Sequence, residues 1–348
     1  MRRRSSDGAG GGERWPLSAV LLFVAFVTCF VVYTGMSLVH RQSSRSIYSS
    51  SLIDPVVGSG AGGEDAEEAR GECCRGVENR ELWGSSVKWG IDFKFNTSRE
   101  CCKACKAMCH AGDGPCLCDS WVFCGDKDKC KEKFGQCWLK KQEDPMFPDL
   151  AESGEKVPWT SGVIFGKGEG IIGIETEIGT IRVKLFPECA PHSMVYIAEV
   201  LKSRHCVGCH FYRAEPRGLS WDESGDPIPN AGLGPPYGLI QGTLAAEGIA
   251  FRELPAEACP ALRRGSVAWI GAGPEFFISL ANHGEWRRSF AVFGSVLSDD
   301  LPIAERIARL PAKPDAWNDV PVRVLEAPLK FKVKRSPLKA AAGGGGLS

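Results

Sequence analysis

The chain predicts a mainly β protein: a closed antiparallel β-barrel capped by two helices, preceded by a small disulfide-rich α+β module and an amino-terminal transmembrane helix. Three observations carry this expectation. Short runs of alternating apolar and polar residues fill the chain from Ile171 onward, eleven of the sixteen cysteines fall between Cys73 and Cys137, and Leu17 to Val39 gives 23 residues without a charge. At 348 residues and 43% hydrophobic, the chain exceeds one average domain and has enough apolar content for two cores. Basic and acidic residues both total 42, so no global field recruits nucleic acid, and none is expected as a partner.

Taken in order, residues 1–16 read as a cytosolic tail and 17–39 as a signal anchor long enough to cross a bilayer. Arg2, Arg3, Arg4 and Arg14 precede the span against Arg41 and Arg45 behind it, which keeps the amino terminus cytosolic. A cleaved signal peptide would have a shorter apolar region followed by small residues; here Ser37, Leu38, Val39, His40 and Arg41 end the run. The expectation is a single-pass type II membrane protein of the endoplasmic reticulum or Golgi, with the bulk of the chain lumenal. Residues 40–71 are rich in Ser, Gly and Glu and read as a flexible stem. Gly58, Gly60 and Gly63 match a dinucleotide-binding spacing, but no strand precedes them and no helix follows. Asn96-Thr97-Ser98 is a glycosylation acceptor on the lumenal side.

Residues 72–145 form the cysteine-rich module. Ser98 predicts a helix cap, with Cys101, Cys105 and Cys109 following at four-residue steps on one helical face. The run Cys118 to Cys124 alternates like a strand, and Cys137-Trp-Leu-Lys140 reads as another; a helix stapled to a small sheet is the simplest solution. An oxidising compartment favours disulfides over zinc for these cysteines, and no metal or other cofactor is expected. Eleven is odd, so one cysteine stays free, pairs with another chain or reaches the next domain. Asp126-Lys127-Asp128 matches the D-x-D of metal-dependent glycosyltransferases, yet between Cys124 and Cys130 it reads as a polar turn. With its helical cysteine pair, aromatic strand and C-x-L-K ending, the segment resembles the PAN/apple family, which implies protein or carbohydrate ligands.

Residues 165–335 form the second module and 336–348 a disordered tail. Ile172 to Glu177 and Gly179 to Phe186 are strands joined by a tight turn, Pro191 opens a helix, further strands centre on Phe211, Leu239, Val267, Phe276 and Val292, and a second helix runs from Pro302 to Leu310. Lys330, Lys332, Lys334 and Arg335 alternate with Phe331 and Val333 as an edge strand with one wet face. Cys206-Val-Gly-Cys209-His210 has the spacing for covalent haem, but it lies in the loop entering the Phe211 strand; a disulfide among Cys189, Cys206, Cys209 and Cys259 is expected instead.

Two runs carry the chemistry: Phe211 to Pro216, and Pro274 to Gly294. They supply one guanidinium, Arg213, and the aromatic rings of Phe276, Phe277, Trp286 and Phe290, the ingredients of a site for proline beside a polar donor. Thr176 to Pro191, FYRAEP, Leu239 to Gly242, Gly265 to Ala268, Phe276 to Ser279 and Val292 to Gly294 resemble cyclophilins, motif by motif and in the family's order. That resemblance implies peptidyl-prolyl cis-trans isomerisation of proline-containing polypeptides. It assigns Arg213 as donor to the prolyl nitrogen, Gln241 to the adjoining backbone, and Phe277, Leu239, Phe276, Trp286 and Phe290 to the pocket, with Tyr212 beside them. From the residues alone, the aromatics could equally fill a core, and Arg213 could pair with Glu215 or Glu257. Three positions depart from the family: Tyr212 and Phe290 replace histidines and Glu275 a common glutamine. An inserted loop, Arg217 to Pro236, separates Arg213 from Gln241. The alternative expectation is therefore a cyclophilin-fold protein that binds proline-containing or glycosylated clients with little or no turnover.

Overall fold

The computed structural model describes residues 73–109, 116–203, 206–257 and 260–336. The apolar run 17–39, the stem before Cys73, the tail after Ser336 and Cys259 lie outside these residues. Among the described residues no helix is long and apolar enough to cross a membrane.

The cysteine-rich half contains β1 (Arg80–Leu82), β2 (Ser85–Lys88), α1 (Ser98–Lys106), β3 (Ser120–Cys124), a one-turn α2 (Lys127–Cys130), β4 (Cys137–Lys141), β5 (Leu150–Ser153) and β6 (Trp159–Val163). Four strands form an antiparallel sheet in the order β2-β4-β3-β6, while β1 pairs with β5. Helix α1 starts one residue earlier in function than the sequence suggested. Thr97, not Ser98, is the cap: its hydroxyl accepts from the Glu100 amide at 3.2 Å and the Glu100 carboxylate accepts from the Thr97 amide at 3.0 Å. This reciprocal box satisfies donors that the first helical turn leaves free. Cys101 and Cys105, one turn apart, then face the sheet and bond to Cys137 and Cys118. Cys74–Cys102, Cys109–Cys116 and Cys124–Cys130 complete the local set, and all five residues of β3 are buried beneath it. The sheet continues past residue 145, because β6 pairs with β3 along its whole length. Asp126 of the D-x-D is a helix cap, its carboxylate accepting from the amides of Asp128 and Lys129.

The second half contains β7 (Ile171–Thr176), β8 (Gly179–Leu185), α3 (Pro191–Lys202), β9 (His210–Arg217), β10 (Tyr237–Thr243), β11 (Ser266–Trp269), β12 (Glu275–Ser279), β13 (Val292–Val296), α4 (Leu301–Ala308), β14 (Ala312–Trp317), β15 (Val320–Lys330) and β16 (Lys332–Arg335). The β7–β8 turn closes where the Thr176 hydroxyl accepts from the amides of Ile178 and Gly179; Gly179 sits at φ +150° with Ile303 close above its Cα. Ten strands are hydrogen-bonded in the order β14-β15-β9-β10-β12-β11-β13-β8-β7-β16. The expected barrel is thus an open ladder in its paired order rather than a closed ring. The two flanks are linked by chain continuity, because β15 pairs with β9 and, past the single residue Phe331, β16 pairs with β7. On β16 Val333 is buried while Lys332, Lys334 and Arg335 stay exposed, the one wet face that the alternation implies.

The inner face is filled by branched and aromatic side chains, among them Ile174, Ile181, Val183 and Phe211, with Trp269 stacked on Phe293 at 4.4 Å. Helix α3 begins with Pro191, whose fixed φ suits a first helical turn. Its own N-cap, Ala190, offers no side-chain acceptor; Glu257 supplies one from a distant loop, accepting from the amides of His192 at 2.7 Å and Ser193 at 3.3 Å and from the Ser193 hydroxyl at 2.6 Å. Burial raises the Glu257 carboxyl above the usual range against the pull of these bonds.

The odd cysteine of the first half is Cys73, which bonds to Cys189 in the second. Around it the Arg75 amide donates to the Glu188 carbonyl at 2.9 Å, Arg335 forks onto Asp144, and Met146 joins the core of the second half. A cleft of about 980 Å³ remains between the two, with Arg80 and Phe147 on one wall and His192 and Ile249 on the other.

Candidate active site

Cross-strand register builds the site. Gln241 on β10 lies opposite Arg213 on β9 and opposite Phe277 on β12, and Phe277 lies opposite Ala268 on β11. Directly opposed residues project to one face of a sheet, so a guanidinium, an amide and a phenyl ring stand in a single row.

The row is wired by side chains. The Arg213 Nε donates to Glu215 Oε1 at 2.8 Å and its Nη1 to Gln241 Oε1 at 3.1 Å. Gln241 Nε2 donates to the Tyr212 hydroxyl at 2.6 Å, and that hydroxyl donates to the Glu275 carboxylate. Tyr212 joins this face because β9 and β10 slip register between Gln241 and Gly242, which leaves Tyr212 without a paired residue. Two of the three departures from the family pattern, Tyr212 and Glu275, are therefore one hydrogen-bonded pair. Burial first, then the hydrogen bond to Glu275 and its charge, raises the Tyr212 pKa, so the hydroxyl stays protonated. The Gln241 amide is oriented from both ends: its oxygen must face Arg213 and its nitrogen Tyr212.

The Arg213 guanidinium sits between two rings, 5.3 Å from the centroid of Trp317 and 5.8 Å from that of Tyr237. Glu215, almost fully buried, is its ion-pair partner; Glu257 lies instead at the start of α3. Phe277 packs edge-on against Phe290 at 5.0 Å and Trp286 at 6.0 Å, and Leu239 lies two residues from Gln241 on the same face of β10. Trp286 and Phe290 are half-buried, so these rings form an apolar patch that solvent still reaches. Phe276 does not join it. Alternation turns it to the opposite face, where it packs against Phe211 at 5.7 Å and Phe331 at 6.0 Å in the interior.

Four participants were not among the sequence candidates: Glu215 as a built part of the site, Tyr237, Trp317 and His283. The His283 ring, fully buried, stacks on Trp286 at 3.7 Å with the planes 5° apart. Its Nε2 lies 2.8 Å from the Tyr237 carbonyl and its Nδ1 2.6 Å from Glu285. Burial lowers the imidazole pKa, opposed by both of those acceptors. The inserted loop braces this stack from behind: Trp221 meets the His283 ring edge-on at 5.0 Å, Asp226 accepts from Asn282 at 2.6 Å, and Arg217 ties the loop to Glu305 on α4. Tyr237, Trp317 and Trp221 reach these positions through sequence-distant contacts, whereas Glu215 lies two residues from Arg213 and His283 three from Trp286.

The remaining candidates lie elsewhere. Cys206 and Cys209 form a buried disulfide at the mouth of β9, one of the pairings expected, whereas Cys189 bonds outside that set, to Cys73. Asn96 is exposed beside the cap of α1.

The model of the family described as cyclophilin type peptidyl-prolyl cis-trans isomerase/CLD matches residues 171–328. This stretch is a cyclophilin-type domain. Solved structures similar to it include a Cryptosporidium parvum cyclophilin type peptidyl-prolyl cis-trans isomerase in the presence of the dipeptide Ala-Pro, 15% identical at a TM-score of 0.33, covering 47% of this chain and 96% of that one. Another is the cyclophilin AquaCyp293 from Hirschia baltica, 13% identical at a TM-score of 0.27, covering 46% of this chain and 73% of that one. No curated protein matches the chain.

Proposed function

We propose that the cyclophilin-type domain catalyses cis-trans isomerisation of X-Pro bonds in polypeptides, with Arg213 as donor to the prolyl nitrogen. Turning that bond passes through a twisted state roughly 20 kcal/mol up, in which amide resonance is lost and the nitrogen lone pair becomes an acceptor. A guanidinium aimed at this nitrogen binds the twisted state better than either planar one, and that difference is the catalysis. Gln241 holds Arg213 and the neighbouring backbone, while Phe277, Leu239, Trp286 and Phe290 grip the pyrrolidine ring. The observation that supports this most is the row Arg213–Gln241–Phe277 across β9, β10 and β12.

The setting we propose is the lumen of the endoplasmic reticulum or Golgi, with residues 17–39 as type II anchor and Asn96 glycosylated. The seven disulfides among the described residues support an oxidising compartment. The PAN/apple-like half is proposed to bind protein or carbohydrate features of the same clients. A second reading, binding without turnover, is favoured by the Tyr212–Glu275 pair, a departure from the family pattern that is hydrogen-bonded to Gln241 beside Arg213. Exchange NMR on an X-Pro peptide separates the two: rate enhancement that falls in Arg213→Ala supports catalysis, saturable binding without enhancement supports the second reading, and the absence of both enhancement and binding rejects both.

A further inference from the structure

We infer that Glu275 makes the prolyl groove an acidic subsite selecting polypeptides with a lysine or arginine two residues from the proline. This rests on the prolyl-site reading above and names its substrate class. Glu275 and Phe277 are two residues apart on β12, so their side chains share a face about 7 Å apart along the strand. An extended peptide with proline against Phe277 carries the side chain two residues away on that same side, at that same spacing, to Glu275. The carboxylate is half-buried, and its hydrogen-bond partner is the neutral Tyr212 hydroxyl. Among the described residues no lysine or arginine pairs with it.

The other charges around it do not cancel it. Arg213, the nearest cation along the hydrogen-bonded chain, is matched by Glu215, so Arg213, Glu215 and Glu275 together leave one net negative charge. His210, 5.9 Å from the Tyr212 ring, directs its Nδ1 to the Gly208 carbonyl. On the other side of Tyr212, Trp317 donates to Asp315 at 3.2 Å, a second carboxylate on this flank. A half-buried charge with one neutral partner attracts an opposite charge more strongly than a fully solvated one does.

The test measures kcat/KM and Kd of the full chain for three X-Pro peptides that differ only in lysine, alanine or glutamate two residues from the proline, at low and high salt. The lysine peptide is expected to exceed the glutamate peptide by about fivefold or more, mainly in KM or Kd, with the ratio shrinking in salt. Glu275→Gln keeps an acceptor for Tyr212 and is expected to bring the ratio near one, while Tyr212→Phe keeps the preference. A wild-type ratio near one, or a ratio unchanged in Glu275→Gln, overturns the inference. Absent turnover on every peptide rejects isomerisation, and the Kd ratios then decide on Glu275 by themselves; absent binding of every peptide rejects the prolyl-site reading and the acidic subsite with it.

Discussion

Replacing Arg213 with alanine separates a catalytic arginine from a structural one, provided its partner is changed too. The Arg213 side chain is 12% exposed and that of Glu215 1%, and they meet at 2.8 Å. Alanine at 213 strands a buried carboxylate whose other donors are the amides of Tyr237 at 2.7 Å and Arg323 at 3.3 Å. Breaking a buried pair by removing one member costs about 3–5 kcal/mol, and the two amides that remain place this case near the lower end. Loss of a preorganised donor to the twisted bond costs about 10²–10³ in rate. Removing both charges relieves the stranded carboxylate, so Arg213→Ala/Glu215→Ala is expected to recover about 2 kcal/mol over Arg213→Ala in urea unfolding. Its isomerisation rate by exchange NMR should remain as low as that of the single variant. A rate that returns to within about threefold of wild type along with the stability would refute the reasoning, because Arg213 would then serve only the fold.

Three further outcomes are expected. Cys73→Ser/Cys189→Ser opens a loop of 116 residues and should lose about 4–5 kcal/mol of stability in guanidinium; a loss below about 1 kcal/mol would mean that the noncovalent contacts between the halves suffice. Thr97→Ala removes the capping hydroxyl of α1 and should cost about 1 kcal/mol by the same measurement. Burial raises the Glu257 pKa on folding, so its contribution to stability is full below the unfolded carboxyl value and is lost as pH rises through the folded one. The melting temperature of wild type relative to Glu257→Gln should therefore increase on acidification from pH 7 to pH 5, and a flat difference would contradict the assignment.

What sequence could tell follows the range of the interactions involved. The β7–β8 hairpin, α3 at Pro191 and the wet face of β16 are set by neighbours within a few residues, and each lies where its local pattern puts it. The Arg213, Gln241 and Phe277 side chains meet through strand register, which spaced motifs specify indirectly. Phe276 and Phe277 look alike in a string, and only the pleat decides that one faces Phe331 and the other Phe290. Tyr212 and Glu275 stand as two unrelated departures in the chain, 63 positions apart, until a slipped register joins them. The stack of Trp221, His283 and Trp286 depends on where the inserted loop lands, and no local pattern encodes that.

The bond between Cys73 and Cys189 also orders events during synthesis. A chain made from its amino end exposes Cys73 long before position 189 exists, while the adjacent Cys74 meets its mate after only 28 residues. For that interval Cys73 is a lone thiol beside a crowd of reactive neighbours. Correct oxidation of the first half therefore waits on the second, and a ribosome product truncated before Cys189 would carry an unspent sulfhydryl as a visible mark of incompleteness.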